Sequence, residues 1–175
     1  MAFALPDAHY QASFVAALRE MRTLDPPGAS PFAVGLVPEV LEQPTAFDRY
    51  VDDLLAQRFE ETPRPTGYVP ATTLWWVEGD GFVGRLAIRH RLTPALRLSG
   101  GHIGYDVRPS RRGRGVAGRM LREALPVAAG LGIDPALLTC DPANLPSRRV
   151  IEKNGGELFE EEPAKLRFWV PTALP

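Results

Sequence analysis

Glycine and arginine alternate in one short segment, Arg111-Arg112-Gly113-Arg114-Gly115, directly before a stretch with helical spacing. The first backbone N–H groups of a helix have no partner within the helix, and the helix dipole adds positive potential there. Glycine lets a ligand approach the backbone closely, and arginine adds formal positive charge. The segment therefore predicts an anion site suited to phosphate groups. A solvated basic turn is the alternative interpretation of the arginines.

The same glycines also match the dinucleotide pattern GxGxxG, as Gly113-Arg114-Gly115-Val116-Ala117-Gly118. In a dinucleotide-binding fold the first glycine follows its strand tightly, whereas here the segment 108–112 intervenes. Only 34 residues follow Asp141, too few for the remaining strands of such a domain unless their order were permuted. A GxxxxGK[ST] phosphate loop is absent from the sequence, which argues against an NTPase.

A second segment has a distinctive order of polar residues, Asn144-Leu145-Pro146-Ser147 followed by Glu152-Lys153-Asn154-Gly155. With Arg112-Gly113-Arg114-Gly115-Val116-Ala117 it resembles the two hallmark segments of the GNAT N-acetyltransferase superfamily, [Q/R]-x-x-G-x-[G/A] and Asn-x-x-Ser…Glu-Lys-x-Gly. The resemblance covers about residues 70–170. It implies binding of acetyl-CoA and transfer of its acetyl group to an amine.

The resemblance also implies which residues contact acetyl-CoA, and no metal is expected. The pyrophosphate would bind backbone N–H groups of a continuous run: Arg112, Gly113, Arg114, Gly115, Val116 and Ala117. The N–H of Val107, at the end of the preceding strand, would polarise the thioester carbonyl. Asn144 would bind the pantetheine arm and Ser147 would approach the nucleotide end. Asn144 also suits a helix N-cap, and both interpretations stay open.

Acetyl transfer requires a deprotonated amine and a protonated leaving thiolate. His102 is the candidate base, because an imidazole with a pKa near ~6.5 can accept an ammonium proton. A partly buried structural histidine is the alternative, and Glu78 and Asp106 are weaker candidates for the base. Many family members have a tyrosine that acts as the general acid seven residues after the asparagine, where this chain has Ile151. Tyr105 could donate the proton if a bulge turns it toward the site, and water otherwise.

Two kinds of element must position these residues. Residues 1–62 contain helical stretches at His9–Met21 and Thr45–Phe59, with a short strand at Phe32–Val37 between them. From residue 68 onward strands and helices are interspersed: strands Thr72–Val77, Phe82–His90, Gly101–Val107, Ala136–Cys140 and Lys165–Val170, and helices Val116–Ala129 and Leu145–Asn154. We predict one α/β domain over residues 1–175 with a mixed (α+β) sheet. In the GNAT-like arrangement this sheet would be mostly antiparallel, with a splayed parallel strand pair, and flanked by helices.

The resemblance divides this domain into two parts. Residues 1–62 would form the acceptor side, and residues 68–175 would carry the CoA-binding segments. The predicted reaction is transfer of acetyl from acetyl-CoA to a primary amine of a small molecule or peptide, by direct attack in a ternary complex. The alternative is a non-catalytic acyl-CoA-binding or regulatory module, which the missing tyrosine favours.

The composition sets limits on partners and location. The chain has 175 residues, 20 basic and 21 acidic side chains and a net charge of -1, so no global charge favours nucleic acid or membrane partners. Six arginines nevertheless lie between Arg108 and Arg122. The single cysteine, Cys140, excludes an internal disulfide and is expected to be a buried thiol rather than a nucleophile. Without signal-peptide features in residues 1–7, we expect a cytoplasmic monomer or homodimer.

Overall fold

The N-terminal part of the protein is mainly helical. The structure is a computed structural model that describes residues 1–23, 30 and 32–173. The elements of the N-terminal part are β1 (Ala2–Ala4), a 3-10 turn (Ala8–Tyr10), α1 (Gln11–Arg22), α2 (Pro38–Leu41) and α3 (Pro44–Ala56). A proline opens both α2 and α3, at positions where its missing N–H has no helical partner to lose. The strand predicted at Phe32–Val37 does not form, because residues 32–35 are in turns and Gly35 has a φ of 78°.

Strands of the described chain form two sheets, and every ladder between them is antiparallel. The first sheet has the order β1-β2-β3-β4, with β2 at Ala71–Glu78, β3 at Gly81–Arg89 and β4 at Ile103–Val107. The second has the order β5-β7-β6, with β5 at Ala136–Cys140, β6 at Glu157–Glu161 and β7 at Leu166–Val170. Together with the flanking helices, these sheets confirm the predicted mixed α/β class.

Three helices connect these strands: α4 (Pro94–Leu98), α5 (Val116–Gly130) and α6 (Leu145–Lys153). Met120 and Leu121 of α5 are fully buried against a core cluster that both sheets share. Val127, near the C-terminal end of α5, is 38% exposed. In the described residues no helix combines the length and apolarity that crossing a lipid bilayer requires.

The two faces of the β3–β4 pair carry different side chains, because successive residues of a strand point to opposite faces. Leu86 and Tyr105 are cross-strand partners on the face that packs with α5. Arg85 and Asp106 are partners on the other face, which a second apolar cluster from α1, α3 and β2 covers. The sheet therefore separates an α5 face from an α1–α3 face.

A gap in the hydrogen bonding separates β4 from β5, where the two sheets meet. The N–H of His102 donates to the carbonyl of Leu137 at 2.7 Å, and the N–H of Leu137 donates to His102 Nδ1 at 2.9 Å. Between the described residues of β4 and β5 themselves no backbone hydrogen bond forms. The main chain of β4 is thus open on one edge as it runs toward the segment 111–115, the Gly-Arg loop.

Candidate active site

The Gly-Arg loop between β4 and α5 presents a row of backbone donors. Gly113 and Gly115 have φ values of 73° and 71°, and Gly115 is the N-cap of α5. Among the described residues, the backbone N–H groups from Gly113 to Gly118 donate no hydrogen bond. A Cβ added to either left-handed glycine would meet no atom within 4 Å, so the space above the loop is open. Successive free N–H groups at a helix start form a concave anion site.

The arginines around this loop are not all available to a ligand. Three of the six form salt bridges with acids of α1, β2 and β4: Arg108 with Glu20 at 2.6 Å, Arg111 with Glu78 at 2.8 Å and Arg112 with Asp106 at 3.0 Å. Arg114 forms no salt bridge with any described carboxylate and is exposed. The positive excess read from the sequence is therefore partly neutralised by tertiary contacts, and Arg114 keeps its charge for a ligand.

Side chains occupy both main-chain polar groups of Val107. Its N–H donates to Asp106 Oδ1 at 2.8 Å, and its carbonyl accepts from Arg112 Nε at 2.8 Å. Arg112 Nη2 also donates to the same Asp106 oxygen, at 3.0 Å. A ligand that binds the N–H of Val107 must therefore displace Asp106, whereas the carbonyl keeps a second lone pair for another donor. The role of the Val107 N–H toward a thioester stays a prediction.

His102 precedes β4 and is half-buried beside β5. Because its Nδ1 accepts from Leu137, the neutral ring carries its proton on Nε2. Burial and the nearby charges of Arg97 and Arg89 hold the pKa of His102 below its ordinary value. A general base needs a free lone pair, and here that lone pair joins β4 to β5. The geometry favours a positioning role, and the base role stays a prediction.

Tyr105 lies on the α5 face of β4, where its hydroxyl is 3.0 Å from Ser147 Oγ at the start of α6. The β3–β4 ladder runs without a register shift, so no bulge turns Tyr105 to the face of Asp106. Burial raises the pKa of Tyr105 to about 12, which keeps the phenol protonated at neutral pH. The structure thus brings Tyr105 together with Ser147 and keeps it on the opposite face from Asp106.

Asn144 is the N-cap of α6, since its Oδ1 accepts from the N–H of Ser147 at 3.1 Å. This contact satisfies the capping interpretation and leaves the amide Nδ2 available for another acceptor. Cys140 at the end of β5 is buried, and burial followed by the charge of Asp141 raises the pKa of its thiol. These features match a structural thiol, since a nucleophilic cysteine needs a lowered pKa.

Residues not singled out in the sequence lie on the α1–α3 face. Arg85 Nη1 donates to the hydroxyl of Tyr50 at 3.2 Å, and its guanidinium is 4.3 Å from the centre of the Phe32 ring. Arg85 Nε and Asp106 Oδ2 are both buried, and within the part of the chain that the structure describes neither has a hydrogen-bond partner. The one signal in the sequence was a charged residue within the otherwise apolar strand Phe82–Ile88.

An open strand edge that leads to free N–H donors at a helix start is typical of CoA-binding acyltransferases. The sequence comparison assigns the chain to the same class of protein. Residues 18–157 match the family described as an acetyltransferase (GNAT) domain, so the chain belongs to the GNAT acetyltransferase family. Members of this family are acetyl-CoA-dependent N-acetyltransferases, which confirms the predicted enzyme class and co-substrate. No curated protein matches the sequence.

Solved structures with the same fold include three acetyltransferase-family proteins. RimJ from Mycobacterium smegmatis, in complex with CoA-disulfide, is 22% identical with a TM-score of 0.66, over 97% of this chain and 80% of that one. The yncA protein of Salmonella typhimurium, with acetyl-CoA, is 13% identical with a TM-score of 0.62, over 98% and 94% of the two chains. The microcin C7 self-immunity acetyltransferase MccE, with acetyl-CoA and AMP, is 12% identical with a TM-score of 0.62, over 95% and 89%. At these identities the likeness shows the fold.

Proposed function

We propose that this protein transfers the acetyl group of acetyl-CoA to a primary amine of a small molecule or peptide, by direct attack in a ternary complex. The observation that carries the proposal is the row of free N–H groups from Gly113 to Gly118 beside the open edge of β4. Such a row suits a diphosphate, and an open strand edge suits the amides of a pantetheine arm.

The residues of the loop fit this co-substrate with one adjustment to the predicted set. The N–H of Arg112 donates to the carbonyl of Pro109 at 3.1 Å, so the proposed phosphate donors begin at Gly113 and continue through Arg114, Gly115, Val116 and Ala117. The free side chain of Arg114 adds a charge-assisted contact with phosphate. Asn144 Nδ2 and the hydroxyl of Ser147 are the proposed contacts for the rest of the molecule.

Acetyl-CoA supplies an activated thioester, and the residues around Val107 determine how its carbonyl group binds. When Asp106 and Arg112 turn away from Val107, its N–H becomes available to the carbonyl oxygen on which negative charge develops. Asp106 Oδ2, which is buried and unpartnered, can then hold an ammonium or accept its proton. Because no bulge turns Tyr105 toward the face of Asp106, water is the proposed proton donor to the leaving thiolate.

We propose residues 1–62 as the acceptor side, because α1 and α3 cover the face of β3–β4 that carries Arg85 and Asp106. Tyr50 of α3 and Phe32 both reach Arg85 there. An amine that enters between these helices and the sheet would meet the thioester from the side opposite α5.

Thermal stabilisation by acetyl-CoA followed by thiol release tests the proposed function. Acetyl-CoA at a hundred times its dissociation constant should stabilise the fold by about 2.7 kcal/mol. Addition of acceptor amines should then release free CoA thiol at rates that saturate with both substrates. Absence of stabilisation at millimolar acetyl-CoA would contradict the binding site. Stabilisation without thiol release for any amine would instead identify a non-catalytic CoA-binding module.

A further inference from the structure

Arg85 is a partly buried cation that the proposed acetyl transfer leaves without a role. It lies in the middle of β3, between buried Gly84 and Leu86, on the face away from α5. Its guanidinium is held by the Phe32 ring at 4.3 Å and by the Tyr50 hydroxyl at 3.2 Å. Both contacts orient the group, but neither supplies a negative charge.

This face of the sheet carries more positive than negative charge. Neither Arg85 nor Arg89 forms a salt bridge with a carboxylate among the described residues. Arg89 Nη1 donates instead to the carbonyls of Gly100 and Gly101, at 3.0 and 3.1 Å. The pKa of Arg89 is lowered by burial and by the charge of Arg85, so the two guanidiniums act on one another. A buried cation without a counterion is costly, which indicates that an anion completes the site.

The nearest carboxylate, Asp106, acts on Arg85 by its charge but forms its salt bridge with Arg112 instead. Asp106 is directly across from Arg85 in the β3–β4 ladder, yet its Oδ1 is taken by Arg112 and by the N–H of Val107. Arg85 Nε and Asp106 Oδ2 are left as a buried donor and a buried acceptor, and neither has a hydrogen-bond partner among the described residues. A ligand with both an anionic and an ammonium group would satisfy the two atoms together. Guanidinium groups favour carboxylates, which match their planar arrangement of donors.

We propose that Arg85 binds a carboxylate of the acetyl acceptor, so that the acceptor is an amino acid or a peptide whose first residue is acidic. This inference rests on the proposed acetyl transfer. Directly opposite residues on antiparallel strands are about 5 Å apart, and Val107 follows Asp106 immediately. Only a few atoms can therefore separate the bound carboxylate from the amine that meets the thioester. Long diamines and amines without a nearby carboxylate are poor acceptors in this site.

Matched acceptors test the proposal. Amino acids are assayed beside their carboxamides, and an Asp-Ala amide beside an Asn-Ala amide, with thiol release giving kcat/KM for each. The carboxylate member of at least one pair should be preferred by tenfold or more. The amino acid pairs and the dipeptide pair distinguish the two sources of the carboxylate. Equal rates for both members of every pair in the wild-type protein would overturn the proposal.

Variants assign the preference to Arg85. Arg85→Met should abolish the preference, and Arg85→Lys should restore part of it, while the KM for acetyl-CoA stays unchanged. The control is Arg58→Met, because Arg58 is exposed and lies over the Phe59 ring at 4.7 Å, away from the sheet face. A preference that survives in Arg85→Met refutes the assignment. If Arg85→Met does not fold, the Arg85→Lys variant and the wild-type rates for the matched acceptors still test the proposal.

A binding measurement separates this inference from the proposed function. With CoA present, calorimetry compares an N-acetylated amino acid with its N-acetylated carboxamide, whether or not any amine is turned over. Tighter binding of the carboxylate, lost in Arg85→Met, supports the proposal, and equal or absent binding of both contradicts it. Acetyl-CoA stabilisation of the Arg85 variants should match the wild type. Its loss in the wild type would mean that the proposed function itself has failed.

Discussion

At the scale of single residues, His102 shows how one hydrogen bond changes a chemical interpretation. A histidine directly before β4 has the residue type expected of a base. In the structure its Nδ1 accepts from Leu137, and the neighbouring charges of Arg89 and Arg97 disfavour the imidazolium. The ring therefore holds β4 and β5 together where the two sheets meet, which is a positioning role.

Asparagine at position 102 separates the two roles. In His102→Asn the amide oxygen lies near the place of Nδ1 and can accept from Leu137, but it cannot take up a proton at neutral pH. We expect His102→Asn to keep kcat within a few-fold, and His102→Ala to lose about 1 kcal/mol of unfolding free energy. Steady-state kinetics and denaturant unfolding measure both. A loss of a hundredfold or more in kcat for the Asn variant, at unchanged KM, would instead establish His102 as the base.

The variant His102→Asn should also change how the free energy of unfolding depends on pH. Because the pKa of His102 is lowered in the folded state, the unfolded chain takes up its proton first as the pH falls. The stabilising contribution of neutral His102 is therefore present above the unfolded pKa of about 6.5 and declines below it. The Asn variant should show a shallower decline, with a remainder from His90, whose pKa burial also lowers.

At the scale of elements, the start of α5 depends on backbone conformation more than on charge. Three nearby arginines are already paired with Glu20, Glu78 and Asp106. The backbone N–H groups of the loop, in contrast, form no hydrogen bonds with described residues. The left-handed conformation of Gly113 and Gly115 sets the direction in which they point. A residue with a Cβ is strained in that conformation, so it would shift the donors.

Alanine at Gly113 tests the loop against a matched position. Gly113→Ala should raise the dissociation constant for acetyl-CoA about tenfold and lower the unfolding free energy by about 1 kcal/mol. The control is Gly132→Ala, because Gly132 has a φ of 77° with open space around it and lies after α5. That variant should lose similar stability with no change in acetyl-CoA binding. Equal binding losses in both variants, measured by calorimetry, would count against the loop.

At the scale of the whole molecule, the second sheet is held at its edge by a buried cation. The Arg167 side chain on β7 is 4% exposed and pairs with Glu160 at 2.6 Å and Glu162 at 3.2 Å. Its Nε also donates to the carbonyl of Leu98 at the end of α4, at 3.1 Å. One guanidinium thus connects β6, β7 and α4. Removing its acids would leave a buried charge uncompensated, which costs more than removing the charge itself.

Neutral glutamines on the edge strand test this connection. The double variant Glu160→Gln with Glu162→Gln should lose more unfolding free energy than Arg167→Met does. The control is Glu157→Gln with Glu161→Gln, which removes two acids from the same exposed strand without touching Arg167. Urea unfolding compares the three proteins. Equal losses in both double variants would show that strand charge alone is responsible.

Elements with strong local signals agreed well between sequence and structure, and those without them did not. The strand Ala136–Cys140 has the predicted bounds, because it is a short apolar run that begins directly after Pro135. Helix α5 extends only one residue beyond its prediction, because Gly115 and helical apolar spacing define it. The edge strand Glu157–Glu161 is exposed throughout and acid-rich, so it has no apolar alternation to detect. Helix α4 was missed, although Thr93 caps it and Pro94 opens it, because five residues give too little periodicity.

The sequence by itself determined the family and the presence of free N–H groups in the Gly-Arg loop, because both depend on groups that are neighbours along the chain. Free N–H groups at a helix start follow from the i→i−4 pattern, and glycine conformations are local. Only the tertiary structure decided that Asp106 and Arg112 bind the main chain of Val107, that Leu137 takes the lone pair of His102, and that Arg85 Nε has no partner among the described residues. Those outcomes depend on strand register and on the packing of segments far apart in sequence, which no local pattern specifies.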